Sequence, residues 1–129
     1  MAKIDEHLEA VRAHLQRVSA ADAARAVEDG ALLVDIRPIE LRTRDGEIPG
    51  ALVIDRNVLE WRLDPTSPHR VEAATDVDQT VILVCNEGYA SSIAARSLQE
   101  IGLARATDLI GGFQAWAAAG LPITTERKI

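Results

Sequence analysis

The chain has one cysteine, Cys85, so it cannot form an internal disulfide bond. A lone thiol suits a reducing compartment, and we expect the protein to be cytoplasmic. No second cysteine is present that could resolve an adduct on Cys85. An adduct formed on Cys85 would therefore have to be resolved by another molecule.

Long apolar runs, a secretory signal and an excess of basic residues are also missing. No stretch reaches the roughly 18 consecutive apolar residues of a membrane-spanning helix, and residues 1–17 are charged rather than apolar. The 14 basic residues are outnumbered by 20 acidic ones, which gives a net charge of −6 and disfavours a nucleic-acid-binding surface. With 47% hydrophobic residues, we expect a soluble protein with neither a membrane nor a nucleic acid as partner.

The stretch 81–92 is the most informative part of the chain. Four aliphatic residues, Val81–Val84, predict a strand buried in a parallel sheet, and helical spacing of apolar residues follows over 91–101. Cys85 is therefore expected in the loop between them, where the helix macrodipole and free N–H groups favour a thiolate. Gly88 would let successive amides turn towards one anion. The alternative is that Cys85 is a small apolar core residue.

Strands and helices alternate along the whole chain. Strands are predicted at 31–37, 51–54, 81–84 and 106–110, and helices at 1–17, 20–29, 58–63, 91–101 and 113–119. Residues 40–45 are expected to form a polar connection. The alternation indicates an α/β fold in three layers, with a central parallel sheet covered by helices and ligands at the carboxyl ends of its strands. We expect one domain over 1–129, with the amphipathic helix 1–17 packed on it; the alternative for that helix is a dimerising coiled coil.

Charged residues near predicted strand ends are candidates for the site. Asp35 and Arg37 either face a ligand or pair with each other to hold the adjacent loops. Arg56 and Arg62 either supply a cation to an anionic sulfur donor near Cys85 or lie in solvent.

Other conspicuous residues are interpreted as structural. Trp61 is expected to be a packing residue. His7 and His14 lie on the first helix without a third ligand nearby, so no metal site is predicted. The pair Gly111 and Gly112 lacks a phosphate-binding pattern and indicates a tight strand-to-helix turn.

Four motifs, taken in order, resemble those of the rhodanese-like family. They are Asp35-Ile36-Arg37 with Glu40, the turn from Gly46 to Ala51, the loop from Cys85 to Ala90, and Gly111-Gly112-Phe113 through Trp116 with Gly120-Leu121-Pro122. The resemblance runs from about Arg17 over nearly the whole chain. It implies a small domain whose parallel sheet has about five strands, one of them short and near residues 17–19. It also implies a sulfurtransferase without metal or organic cofactor.

The resemblance implies a catalytic Cys85 that carries the transferred sulfur as a persulfide. Its thiolate would attack the outer sulfur of a donor such as thiosulfate, and the persulfide would pass that sulfur to cyanide or a thiol. The residues expected to bind substrate are Asn86, Glu87, Gly88, Tyr89, Ala90, Ser91 and Arg62, with Asp35 and Arg37 as structural support. Tyr89 either gates or lines the pocket or packs beside the helix.

The loop departs from the family pattern in its charge. Arginine or lysine often follows the family's cysteine and arginine is common at the sixth position, whereas this chain has Asn86 and Ala90, with acidic Glu87 between them. Glu47 also stands where histidine is frequent. We therefore expect neutral thiols, persulfides or a protein-bound sulfur carrier to serve better than thiosulfate. The protein could be a monomer or a homodimer.

Two other functions are open. A non-catalytic module for sulfur sensing or partner binding would need only the fold. A cysteine phosphatase related to this fold would need an arginine to clamp phosphate, and Ala90 removes it.

Overall fold

Helices and strands alternate in the computed structural model, which describes residues 1–125. The strands are β1 (Leu32–Asp35), β2 (Leu52–Val53), β3 (Val81–Val84) and β4 (Ala106–Asp108). The helices are α1 (Lys3–Arg12), α2 (Ala20–Glu28), α3 (Ile39–Asp45), α4 (Leu59–Leu63), α5 (Ala90–Glu100) and α6 (Gly112–Ala118), and a 3₁₀ turn at Arg56–Val58 precedes α4. Residues 126–129 of the predicted domain lie outside the described residues. No helix in the described part is long and apolar enough to cross a bilayer.

The strands form one parallel sheet in the order β2-β1-β3-β4, which confirms the predicted α/β fold. In place of the fifth strand expected near residues 17–19, there is a single parallel bridge between Val18 and Leu109. The next residue, Ser19, accepts a hydrogen bond from Asp22 N and caps α2. The chain turns into a helix directly after Val18, so no further residue is left to extend the pairing.

The sheet separates two apolar cores, as expected for three layers. Along β3 the side chains alternate between them, and all four residues are 0 to 2% exposed. Leu83 packs with Leu98 of α5 on one face. Val84 packs with Phe113 of α6 on the other face. Each fully buried side chain of this size contributes about 2 kcal/mol of hydrophobic stabilisation.

The first helix is shorter than predicted and packs on the helix that follows the cysteine. α1 ends at Arg12, although apolar residues continue at helical spacing to Val18. Its buried residues are Leu8 and Val11, and it lies against α5. Ile4 is 55% exposed. The contact with α5 brings the end of α1 to the loop that carries Cys85.

The polar connection predicted at 40–45 is wrong, because this stretch is part of α3. Pro38 stands at the N-cap with φ −67°. Its fixed φ suits the start of a helix. Among the seven residues of α3 none is buried, so the segment lacks the apolar periodicity that would have indicated a helix.

The packing role expected for Trp61 is also wrong. Leu59 and Leu63, four residues apart, are 0 and 1% exposed and fill the core side of α4. Trp61 lies midway between them and therefore on the opposite side of the turn, where it is 58% exposed. Asp55 caps the 3₁₀ turn that precedes α4, since its carboxylate accepts a hydrogen bond from Asn57 N.

We predict that Gly112→Ala lowers the free energy of unfolding by at least about 3 kcal/mol, because a Cβ there would meet backbone. Gly112 has φ +61°, and an added Cβ would lie 2.5 Å from Cys85 O and 2.8 Å from the carbonyl carbon of Asn86. Gly120→Ala is the matched control, since Gly120 has φ +75° and nothing within 4 Å of its Cβ position. It should cost only about 1 kcal/mol of left-handed strain. Urea denaturation measures both, and equal losses would contradict the role of the contact.

Candidate active site

The loop after β3 aims two backbone N–H groups at the Cys85 sulfur. Gly88 N donates to Sγ over 3.1 Å and Ser91 N over 3.4 Å. Gly88 has φ +87°, and a Cβ on it would lie 2.8 Å from Gly111 N. Only glycine fits the turn there. Since α5 begins at Ala90, the sulfur also lies at the positive end of a helix of 11 residues.

A serine and a buried carboxylate lie on another side of the sulfur. Ser91 Oγ is 3.2 Å from Cys85 Sγ and donates to Asp108 Oδ2 over 2.7 Å. Ser92 Oγ donates to the same oxygen over 2.8 Å. Because the Ser91 proton is committed to Asp108, its oxygen can accept from a thiol. The sulfur therefore has a hydrogen-bond partner in both states, with Ser91 Oγ for the thiol and the two amides for the thiolate.

Two arginines from the beginning of the chain complete this network. Asp108 is 0% exposed, and Arg17 binds its two carboxylate oxygens from Nε at 2.8 Å and Nη2 at 3.2 Å. Gly88 O accepts from Arg17 Nη2 over 2.9 Å and from Arg12 Nη2 over 2.7 Å. Sequence reasoning missed both arginines and Asp108. One signal was available, because Asp108 lies inside the predicted strand 106–110, and an acidic residue in a buried strand needs a buried partner.

Asp35 and Arg37 form a buried ion pair with side chains 1 and 0% exposed. Arg37 Nη2 is 2.8 Å from Asp35 Oδ2 and also donates to Gly46 O over 2.8 Å. The guanidinium lies 3.8 Å from the centroid of the Phe113 ring. The pair therefore ties the end of β1 to the turn at Gly46 and to α6. Arg37 Nη1 has no hydrogen-bond partner among the described residues.

A cavity of about 310 Å³ opens at the cysteine. It is lined by Ile36, Arg37, Pro38, Leu41, Arg56, Cys85, Asn86, Glu87, Tyr89 and Ala90. The side chain of Cys85 is 7% exposed, so the cavity is the route by which a small molecule would reach it. Ile36, Pro38 and Leu41 give it apolar walls.

Two arginines line this cavity, and the charge of each is matched, that of Arg37 by Asp35 and that of Arg56 by Glu60. Arg56 Nη1 lies 3.0 Å from both carboxylate oxygens of Glu60. Desolvation raises the pKa of Glu60, but hydrogen bonds from Ser97 and a backbone N–H, together with Arg56, outweigh it and hold that pKa below its ordinary value. Glu60 therefore stays ionised at neutral pH. Arg62 lies elsewhere: it donates to His69 O and is not among the residues that line the cavity.

The predicted loop residues come together around the sulfur. Asn86, Glu87, Tyr89 and Ala90 line the cavity, and Gly88 and Ser91 bond to Sγ. Tyr89 is 57% exposed at the cavity. Within residues 1–125, no three His, Cys, Asp or Glu side chains are grouped to hold a metal ion.

Comparison with known proteins gives consistent matches. A family model described as a rhodanese-like domain matches residues 19–119. The thiosulfate sulfurtransferase GlpE of Haemophilus influenzae is 31% identical over 110 residues, which cover 85% of this chain and 95% of that protein. A sulfurtransferase of Allochromatium vinosum is 36% identical over 93 residues, covering 71% of this chain and 77% of that protein. A Rhodopseudomonas palustris structure of unknown function, described as a possible tyrosine phosphatase, has a TM-score of 0.84 at 32% identity and covers 96% of each chain.

We predict that Asp35→Ala lowers the free energy of unfolding by about 3 to 5 kcal/mol, because it leaves the buried Arg37 guanidinium unpaired. Asp22→Ala removes a comparable partner from Arg25, but those side chains are 58 and 69% exposed. It should therefore change stability by less than about 0.5 kcal/mol. Chemical denaturation of both variants checks this, and a loss for Asp35→Ala as small as the control's would contradict it.

Proposed function

The chain belongs to the rhodanese-like domain family of sulfurtransferases, and we propose that it forms a persulfide on Cys85 and passes the outer sulfur to a thiol or cyanide. The observation that carries the proposal is the convergence of Gly88 N and Ser91 N on Sγ, at a sulfur that lines a cavity. Both donors are backbone N–H groups, so they stabilise an anionic sulfur at any pH without the help of an ionisable side chain.

The reaction proceeds in two displacements. The Cys85 thiolate attacks the outer sulfur of a donor R–S–S⁻; the donor's S–S bond breaks, R–S⁻ leaves, and Cys85 carries S–S⁻. An acceptor thiolate then attacks that outer sulfur, forms the acceptor persulfide and releases the Cys85 thiolate. With thiosulfate the leaving group is sulfite, and with cyanide the product is thiocyanate. No net oxidation or reduction occurs, and no cofactor is needed.

The cavity favours donors of low charge. Its apolar walls suit an organic thiol or persulfide, and Glu87 at the same cavity repels a dianion. Arg56 offers thiosulfate little attraction while Glu60 neutralises it. Small organic persulfides or a protein-bound sulfur carrier are therefore the proposed donors, and small thiols are the acceptors. A single cysteine that must stay reduced to react suits a reducing compartment such as the cytoplasm.

A phosphatase function is less well supported, although the Rhodopseudomonas palustris protein is described as a possible one. Phosphate transfer needs cationic clamping of three oxygens. The loop has Ala90 where that arginine would stand, and the cavity's Arg56 is held by Glu60. A non-catalytic module is favoured only by the low exposure of Cys85, 7%.

We predict that the protein gains one sulfur atom on incubation with a small organic persulfide or with thiosulfate. Intact-mass spectrometry measures the gain, and a thiol added afterwards should remove it. Cys85→Ser is the matched control and should stay at its starting mass. No gain with any donor, in protein whose Cys85 is readily alkylated, would instead support the non-catalytic module.

Glu60→Gln should raise kcat/KM for thiosulfate about 3- to 10-fold, because it frees the positive charge of Arg56 at the cavity. The amide keeps a hydrogen-bonding group beside Ser97 and Arg56. Glu72→Gln removes an equal charge from an exposed residue outside the cavity and serves as the control. Initial rates of thiocyanate formation give both values. An unchanged kcat/KM for Glu60→Gln would show that neutralisation of Arg56 does not limit thiosulfate use.

A further inference from the structure

Two arginines reach the catalytic loop from outside the part of the chain that matches the family model, which begins at residue 19. Arg12, in the last turn of α1, donates from Nη2 to Gly88 O over 2.7 Å and from Nε to Ser92 Oγ over 3.0 Å. Arg17 donates to the same carbonyl over 2.9 Å. Gly88 therefore links the arginines to the sulfur, because its own N–H donates to Cys85 Sγ.

One cation at the loop has no acidic partner among residues 1–125. The charged side chains that line the cavity or bond to the loop network are Arg12, Arg17, Arg37, Arg56, Glu87 and Asp108. The ion pairs are Arg17 with Asp108, Arg37 with Asp35, and Arg56 with Glu60. Arg12 forms no ion pair within that part of the chain, and its guanidinium lies 5.8 Å from the centroid of the Tyr89 ring. Its charge is therefore available to the loop.

The position of Arg12 is close enough to matter for the sulfur. Gly88 N is 3.1 Å from Sγ, and Arg12 Nη2 is 2.7 Å from Gly88 O. Because N and O of one residue are about 3 Å apart, the cation lies within about 9 Å of the sulfur. In a half-buried site a unit charge at this distance changes an ionisation equilibrium several-fold. A hydrogen bond at the carbonyl also fixes the plane of the Gly88–Tyr89 peptide, and through the Gly88 Cα this restrains the neighbouring Glu87–Gly88 peptide, which carries the N–H at the sulfur.

We propose that Arg12 is a positioning residue of the active site. It holds Gly88 so that the N–H of this residue points at Cys85. It also supplies the positive charge that the loop itself lacks, since position 90 is alanine. The inference rests on the proposed function, since it explains how a loop without a cation keeps its sulfur anionic. The buried contacts of Leu8 and Val11 hold Arg12 in place, so α1 is part of the catalytic unit.

The test is the rate of Cys85 alkylation by iodoacetamide, followed by intact mass at about pH 6 and about pH 9 in the full chain. Arg12→Gln should react about 5-fold more slowly than the unmodified chain at the lower pH, where the charge decides how much thiolate is present. At the higher pH, which lies above the ordinary pKa of a cysteine thiol, the two rates should agree within about 2-fold. Arg12→Lys, which keeps the charge, should recover at least half of the lost rate. Arg25→Gln, on the exposed face of α2, is the control.

Either of two results would overturn the proposal. Equal rates at the lower pH would show that Arg12 does not act on the sulfur, and an equal slowing at both pH values would indicate a change in access to the cavity instead. Should Arg12→Gln fail to fold, Arg12→Met keeps the aliphatic length and removes the charge. Alkylation requires no sulfur transfer, so failure of the persulfide experiment leaves this result interpretable, and the reverse also holds.

Discussion

A single buried carboxylate organises the loop that carries Cys85. Asp108 ends β4 with no exposed surface and accepts hydrogen bonds from Ser91, Ser92 and Arg17. A buried carboxylate deprived of partners costs several kcal/mol, so each donor is held where the carboxylate requires it. Two of the donors belong to the first turn of α5, and one of them touches Cys85 Sγ. The position of the Cys85 sulfur relative to α5 therefore depends on β4, which lies next to β3 in the sheet.

The loop also has a polarity, because three of its carbonyls accept hydrogen bonds from outside while two backbone N–H groups donate to the sulfur. Phe113 N donates to Cys85 O over 2.8 Å, and Gln114 N to Asn86 O over 3.2 Å. Both donors belong to the first turn of α6, whose N–H groups lack partners within the helix. Gly88 O accepts hydrogen bonds from Arg12 and Arg17. With these carbonyls occupied outside, the loop can turn Gly88 N and Ser91 N inwards.

The parts of the fold that were predictable from sequence are those with strong local signals. The apolar run Val81–Val84 and the cap at Ser19 mark β3 and α2 well. By contrast, α3 has no buried residue to set a period, and the exposed position of Trp61 depends on which residues of α4 face the core. Local patterns carry no such tertiary information.

The site likewise has a part that was predictable from the sequence and a part that was not. The loop from Cys85 to Ala90 is contiguous, so its motif identified it. The contact of Arg12 with Gly88 joins residues 76 positions apart, and that of Arg17 with Asp108 joins residues 91 apart. No spacing rule connects such pairs, and neither arginine stands out in a charged helix. The packing of α1 on α5 brings Arg12 to the loop, and the bridge between Val18 and Leu109 places Arg17 beside Asp108.

An arginine within the loop would perform two tasks, and in this chain they do not fall to one residue. In the cavity, a cation would both stabilise the sulfur anion and attract an anionic donor from solvent. Here the two cations that line the cavity, Arg37 and Arg56, are paired with Asp35 and Glu60, whereas Arg12 lies behind the loop on the carbonyl side of Gly88. A charge in that position would act on the sulfur through space, and it does not line the cavity through which a donor would enter. The departure at Ala90 is thus compatible with the proposed persulfide chemistry, and it supports the proposed preference for donors that need no cationic partner.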